Sequence, residues 1–179
     1  MRRRLPALVI AAAALVAAVA GGSAQAAQPR AVTGGTITVG VGAAGVEVGM
    51  PRAEVVALLG RPFYENRNGY MQYMPDGARG IFDVYRAGGG RQTRVRMVSV
   101  ASSGGRFTLA DGTRIFEPGA LRAVKRAYGR RLRLVRTGDG ELIYRIVTRA
   151  GGRRVDTDFS VTRPNLGGRV VQLFVVQVA

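Results

Sequence analysis

The stretch PRAEVVALLGRPFYENRNGYMQYM, residues 51–74, combines a short helix with a hairpin and is the most informative pattern in the chain. Pro51 suits the first position of a helix, where its missing N–H leaves no hydrogen bond unmade. Gly60 is typical of the residue that ends a helix, because glycine adopts positive φ without strain. Three apolar side chains then share one face of the predicted helix and are expected to be buried: Val55, Leu58 and Leu59.

The second half of the chain repeats this order of a helix followed by hairpins, with weaker sequence similarity. An Asn-Gly turn at residues 68–69 predicts a hairpin after the first helix, and a second predicted helix, residues 118–128, is also followed by hairpins. On this helix Val124 and Tyr128 are expected to be buried. The order predicts an α+β fold of two tandem units, each a short helix packed on an antiparallel β-sheet of about four strands. The units span residues 36–104 and 105–179.

The N-terminus has the features of a secretory signal peptide. Residues 2–4 are arginines, residues 7–20 are uncharged and mostly apolar, and Ala24-Gln25-Ala26 is an A-x-A cleavage pattern. The sequence therefore predicts a signal peptide over residues 1–26 that is cleaved near Ala26, a linker over residues 27–35, and a secreted or periplasmic protein without a membrane span after cleavage. An uncleaved signal anchor is the alternative.

The composition restricts the chemistry that the chain can perform. It contains no His, Cys or Trp, which excludes Ser-His-Asp and Cys-His catalysis and the usual zinc sites. We therefore expect no enzymatic activity, no cofactor and no metal. Without the three arginines of the signal, 24 basic residues face 11 acidic ones, a net charge of +13. This charge favours anionic partners, although an Arg-rich coding bias is an alternative explanation.

A family resemblance begins at the first helix. The segment VEVGMPRAEVVALLGRP, residues 46–62, resembles the helical signature of SmpA/OmlA-type envelope proteins, which serve outer-membrane β-barrel assembly, and the related β-lactamase-inhibitor-protein-like fold. The matching residues are Gly49, Met50, Glu54, Val55, Leu59, Gly60 and Pro62. Residues 116–129 resemble a weaker second copy. The resemblance implies a binding scaffold that occurs in tandem. The chain departs from both groups because it lacks the cysteine needed for lipidation or disulfides.

Two further motifs allow a catalytic or a structural interpretation. Residues 40–45, GVGAAG, match the G-x-G-x-x-G pattern of dinucleotide loops, but no helix begins there, so a flexible lead-in to the first helix is favoured. Asp83, Asp156 and Asp158 alternate with apolar residues in predicted strands. Paired carboxylates could serve a glycosidase, but solvent-facing carboxylates that pair with nearby arginines are the simpler interpretation.

The expected function is therefore that of an exported, non-catalytic binding module with a basic surface, a protein inhibitor or an interaction scaffold. The alternative is a structural or assembly factor of the cell envelope or cell wall that is held by electrostatic attraction. Expected partners are an exported or envelope protein, or an anionic cell-wall polymer, whereas export disfavours nucleic acid. Tyrosine and arginine are enriched at binding hot spots, so the candidate binding residues are Arg61, Tyr64, Arg67, Tyr70, Tyr73, Arg94 and Arg96.

Overall fold

The computed structural model describes residues 28–74, 82–87, 93–101, 106–136, 142–162 and 170–178. These residues form twelve β-strands, two α-helices and one 3-10 turn. In chain order the elements are β1 (Gly34–Thr38), β2 (Gly42–Ala43), β3 (Val46–Glu47), α1 (Arg52–Leu59), β4 (Tyr64–Glu65), β5 (Tyr70–Gln72), β6 (Phe82–Ala87), β7 (Arg94–Ala101), β8 (Arg106–Leu109), α2 (Ala120–Tyr128), the 3-10 turn (Gly129–Arg131), β9 (Leu132–Arg136), β10 (Leu142–Ala150), β11 (Arg153–Val161) and β12 (Val170–Gln177).

Eight strands form one continuous antiparallel sheet in the order β4-β5-β6-β7-β12-β11-β10-β9. The prediction of two tandem helix-on-sheet units is therefore wrong. The strands that follow α1 and those that follow α2 join edge to edge, because β7 pairs with β12 over five residues, from Ala101 opposite Gln172 to Met97 opposite Val176. This pairing buries two strand edges that separate units would leave exposed. The resulting fold is mostly β.

A second, smaller sheet has the order β3-β2-β1-β8 and combines a tight hairpin with a parallel pair, β1 and β8. The G-x-G-x-x-G stretch forms this hairpin and begins no helix. Gly42 is required there because a Cβ atom at this position would lie 1.9 Å from the carbonyl oxygen of Val46. The stretch is therefore a packed structural turn rather than the expected flexible lead-in, and residues 34–35 of the predicted linker belong to β1.

Both helices lie within the predicted segments, but their buried faces differ from the predicted stripes. Val55, Leu59 and Val124 are buried in the core, as expected. Leu58 is 50% exposed, so that prediction is wrong, and Tyr128 is only partly buried. The buried residues form a single cluster that includes both helices and both sheets. Phe82 of the large sheet and Phe107 of the small sheet stack at 6.1 Å within it.

Several predictions fall on residues outside the described ranges. They are the signal peptide of residues 1–26, the boundary between the two units at residues 104–105, and the glycine-rich turns at residues 88–90, 138–140 and 165–168. None of the described helices is long and apolar enough to cross a membrane.

Candidate functional site

The two faces of the eight-stranded sheet have different surroundings. One face carries the core side chains, including Val84, Val98 and Phe159, which are fully buried beneath the helices and the small sheet. We call the other face the open face. Its apolar side chains, among them Met97 and Phe174, are partly exposed and do not belong to the core cluster. All eight strands of the large sheet contribute side chains to the open face.

The strand register defines the open face as two rows of side chains, because directly paired residues of a sheet project to the same side. The first row crosses all eight strands and consists of Tyr64, Gln72, Asp83, Ser99, Phe174, Asp158, Arg145 and Arg133. The second row lies beside it and consists of Tyr70, Tyr85, Met97, Val176, Asp156 and Val147. The face thus has an aromatic end, an apolar middle and a charged end.

At the aromatic end, three tyrosines form a ladder over β4, β5 and β6. The ring centroids of Tyr64 and Tyr70 lie 5.9 Å apart, and those of Tyr70 and Tyr85 lie 5.1 Å apart. Tyr64 is 51% exposed, whereas the other two rings are partly covered. Tilted rings at these distances support one another, so the ladder is a preformed surface.

Asp83 lies beneath this ladder and is only 5% exposed. The hydroxyl of Tyr70 donates a 3.0 Å hydrogen bond to Oδ1 of Asp83. Burial raises the pKa of Asp83 to about 6, and the hydrogen bond from Tyr70 opposes this shift only in part. The pKa of Tyr85 is also raised, first by burial and then by the nearby charge of Asp83. This carboxylate therefore titrates in a range where carboxylates are normally fully charged.

At the charged end, two carboxylates and two arginines form a continuous ion-pair network. The guanidinium of Arg145 donates two hydrogen bonds of 2.7 Å to Asp158, and that of Arg154 donates bonds of 2.7 and 2.9 Å to Asp156. Arg145 also lies 3.1 Å from Asp156 and thereby connects the two pairs. The expectation of arginine pairing is therefore confirmed for Asp156 and Asp158, whereas the carboxylate of Asp83 accepts a hydrogen bond from Tyr70 instead. All three carboxylates are buried, so the expectation that they face solvent is wrong.

A separate ionic cluster on the core side holds α1 against the large sheet. Glu65 accepts hydrogen bonds from Arg52 of α1 at 2.8 and 2.6 Å and from Arg86 of β6 at 2.6 Å. Arg86 also contacts the hydroxyl of Thr93. The hydrogen bonds from Arg52 are the main cause of the lowered pKa of Glu65. This cluster is structural, because it lies on the side of the sheet opposite the open face.

The predicted tyrosines do not share one surface. Tyr64 and Tyr70 lie on the open face, as described above. Tyr73 is fully buried in the core, where its hydroxyl donates a 3.3 Å hydrogen bond to the carbonyl of Gly60 and burial raises its pKa to about 12. Residues three apart in a strand project to opposite sides, which separates Tyr73 from Tyr70.

The predicted arginines lie in turns or at the start of β7 and belong to neither row of the open face. Arg94 and Arg96 are exposed and, together with Arg153, line a cleft of about 490 Å³. The cleft lies where the last residues of β6 and β12 meet the first residues of β7 and β11. Arg94 donates a 2.8 Å hydrogen bond to the carbonyl of Gly49. Arg61 follows α1 and Arg67 lies in the β4–β5 turn, and both are exposed. Arg67 therefore lies between the strands that carry Tyr64 and Tyr70, whereas Arg94 and Arg96 lie at the start of β7.

Sequence reasoning missed most of the apolar middle of the open face. Met97, Phe174 and Val176 come from β7 and β12, whose pairing brings together residues far apart in the chain. A period-two signal was present in β12, where Gln172, Phe174 and Val176 alternate with Leu173 and Val175. Because both sets contain large apolar side chains, the alternation alone did not show which set faces the core.

The described residues contain no group of three or more Asp and Glu side chains arranged to hold a metal ion. Comparison of the chain with protein-family models, with curated proteins and with solved structures finds no match. The functional interpretation therefore rests on the geometry of the two faces of the sheet.

Proposed function

We propose that the chain is an exported, non-catalytic binding module that recognises an exported or envelope protein through its open face. The observation that supports this proposal is an inversion of the usual pattern of burial. On the open face, Asp83, Ser99 and Asp158 are buried, whereas Met97 and Phe174 are partly exposed. The uncovered face of an antiparallel sheet ordinarily carries polar side chains outward, and contiguous exposed apolar surface is typical of interaction sites.

The chemistry of the face fits recognition of a protein. Aromatic and arginine side chains contribute strongly to protein interfaces, and the open face has a tyrosine ladder at one end and Arg145 and Arg154 at the other. The carboxylates that pair with these arginines fix their positions before any partner arrives. Such preorganisation lowers the entropic cost of association.

The family resemblance of residues 46–62 supports the same proposal. SmpA/OmlA-type and β-lactamase-inhibitor-like units are binding scaffolds, and the inhibitors in particular bind other proteins. An inhibitory role would follow if the partner of the open face were an enzyme. The chain's own residues favour binding over catalysis, because the carboxylates at the charged end of the open face are each held by arginines and no histidine or cysteine is available as a general base or nucleophile.

The second candidate function is a structural or assembly factor of the envelope or cell wall that is held by electrostatic attraction. The observation that favours it is the excess of exposed arginines outside the two rows of the open face, such as Arg61, Arg67 and Arg96. Attraction of this kind is screened at high salt, because the Debye length falls from about 10 Å at 0.1 M to about 3 Å at 1 M.

The two candidates are separated by capture on immobilised protein that starts at Ala27. Culture supernatant and cell-wall extract are applied at low and at high salt, and bound proteins are eluted. Recognition by the open face predicts a discrete protein that is retained at about 1 M salt, since apolar contacts are not screened. A structural factor held by charge predicts retention from the cell-wall extract only, with complete loss at high salt.

Variants connect the captured partner to the open face. The pair Tyr85→Ala and Phe174→Ala removes two partly exposed rings from the aromatic and apolar zones, and each ring should contribute about 2 kcal/mol or more if it is a hot spot. Leu58→Ala is the matched control, because Leu58 is a half-exposed apolar residue on α1, across the sheet from the open face. Equal binding by both variants, with folding verified by circular dichroism, would contradict the proposal.

A further inference from the structure

A second surface of the molecule is dominated by positive charge. The ten residues from Arg122 to Arg131 read RAVKRAYGRR and contain five cations and no acid. All five are exposed, and we call them the basic patch: Arg122, Lys125, Arg126, Arg130 and Arg131. The patch extends from the third residue of α2 to the last residue of the 3-10 turn that follows it.

The helix directs these cations away from the core. Arg122, Lys125 and Arg126 are spaced i, i+3 and i+4, which places them on one side of α2. Val124 is fully buried and Tyr128 packs against the core from the other side of the same helix. The helix therefore has one face for folding and a second face that contributes only charge.

The basic patch takes no part in the ion pairs of the described residues. The buried acids Asp156 and Asp158 are engaged by Arg145 and Arg154 on the open face. Asp111 is an acid whose charge acts near the patch. The pKa of Tyr128 is raised mainly by burial and then by the charge of Asp111, whereas the charge of Arg131 lowers it. Like charges at i, i+3 and i+4 repel, so the folded protein holds several positive charges together without matching negative ones.

We propose that the basic patch binds an anionic polymer, other than a nucleic acid, whose charges are repeated phosphate groups. Four of its five cations are arginines, whose planar guanidinium matches the geometry of phosphate oxygens. Insertion into a lipid bilayer would need exposed apolar side chains, but those of α2 face the core. Single-stranded nucleic acid would need exposed aromatic rings for stacking, and Lys125 covers the ring of Tyr144 at 4.6 Å from its centroid.

The position of the patch allows it to act together with the open face. Lys125 packs on Tyr144, and the next residue of β10, Arg145, projects to the open face. Because neighbouring residues of a strand project to opposite sides, α2 and the open face lie on opposite sides of the sheet. A polymer bound to α2 would therefore leave the open face free. This inference rests on the basic patch alone and does not depend on the protein-binding proposal.

The test is titration of the protein starting at Ala27 with inorganic polyphosphate, followed by calorimetry at several salt concentrations. The patch variant combines Arg122→Gln, Arg126→Gln, Arg130→Gln and Arg131→Gln. The matched control replaces four exposed arginines outside the patch with glutamine: Arg30, Arg106, Arg149 and Arg153. Both variants lose the same net charge, so a difference between them reports the location of the site rather than the total charge.

We expect the patch variant to lose at least about tenfold in affinity near 0.1 M salt and to show a smaller slope of log affinity against log salt, since each phosphate contact contributes about 0.7–0.9 to that slope. The control should lose less than about threefold. Equal losses in the two variants would overturn the proposal, because binding would then follow net charge. Tighter binding to polyglutamate, to anionic vesicles or to duplex DNA than to polyphosphate would also overturn it. The Tyr85→Ala and Phe174→Ala pair should keep full polyphosphate binding, which distinguishes failure of this site from failure of the open face.

Discussion

Asp83 should make the stability of the protein depend on pH in a range where few other groups titrate. Its folded pKa of about 6 lies above the ordinary value of 3.8 because the carboxyl is buried beneath the tyrosine ladder. Between these two values the folded state holds a proton that the unfolded state releases. The free energy of unfolding therefore falls as pH rises from about 4 to about 6 and stays low above that range.

The pKa difference sets the size of this effect. At about 1.4 kcal/mol for each pH unit between the two pKa values, the upper limit is about 3 kcal/mol. The open face borders solvent, which screens part of the cost of the charge, so we expect about 1–3 kcal/mol. The Asp83→Asn variant cannot ionise but retains an oxygen that accepts the hydrogen bond from Tyr70. It should match the wild type near pH 4 and exceed its stability by this amount at pH 7.

Urea unfolding of both proteins at steps between pH 4 and pH 7.5 measures this difference. The chain has no histidine, so no imidazole titration is superimposed on the result. Asp111→Asn is a suitable control, because Asp111 is exposed and its pKa is lowered by the backbone N–H of Thr113. Its stability curve should run parallel to that of the wild type above pH 5. A constant difference between Asp83→Asn and the wild type over the whole range would refute the argument that burial governs this carboxyl.

Two further predictions concern the core and the α1 anchor. Phe159→Ala should lower the free energy of unfolding by about 3–5 kcal/mol, because it empties a fully buried site. Leu58→Ala should change the free energy of unfolding by less than about 1 kcal/mol. Similar costs for the two variants in denaturant unfolding would show that the assigned buried face of α1 is wrong. Glu65→Gln should destabilise by about 3 kcal/mol or more, because it leaves the guanidinium of Arg86, only 7% exposed, without its carboxylate. Glu117→Gln breaks the exposed pair with Arg114 and should cost less than about 1 kcal/mol in the same assay; an equal effect of the two changes would contradict the anchoring role of Glu65.

The local elements of this fold could be predicted from the sequence because their signals lie within a few residues of one another. Asn66 and Gly69 specify the β4–β5 turn: the Asn66 side chain accepts a 3.1 Å hydrogen bond from the N–H of Tyr70, and Gly69 adopts a φ of +89°. Gly60 ends α1 at positive φ for the same local reason. Signals of this kind do not depend on the rest of the fold.

The assembly of the sheet could not be predicted in this way. Each half carries a helix followed by strands, which fits two separate sheets as well as one joined sheet. Whether one sheet or two forms depends on the pairing of β7 with β12, and no local sequence pattern indicates that pairing. The apolar middle of the candidate site was missed for the same reason, because Met97 and Val176 become neighbours only when these two strands pair. Tyr73 was predicted to bind a partner but is buried in the core, because it was grouped by residue type rather than by its side of the strand.

The placement of β12 has a consequence for how the protein reaches its native state. The last strand of the described residues, β12, occupies the middle of the eight-stranded sheet, between β7 and β11. Until Val170–Gln177 has left the ribosome, β7 and β11 each present an unpaired edge, and the two parts of the sheet cannot join. Native contacts such as Ala101 with Gln172 close a long loop, and such contacts slow folding. The large sheet should therefore stay incomplete until β12 has been synthesised, and chains truncated before β12 should aggregate through their open edges.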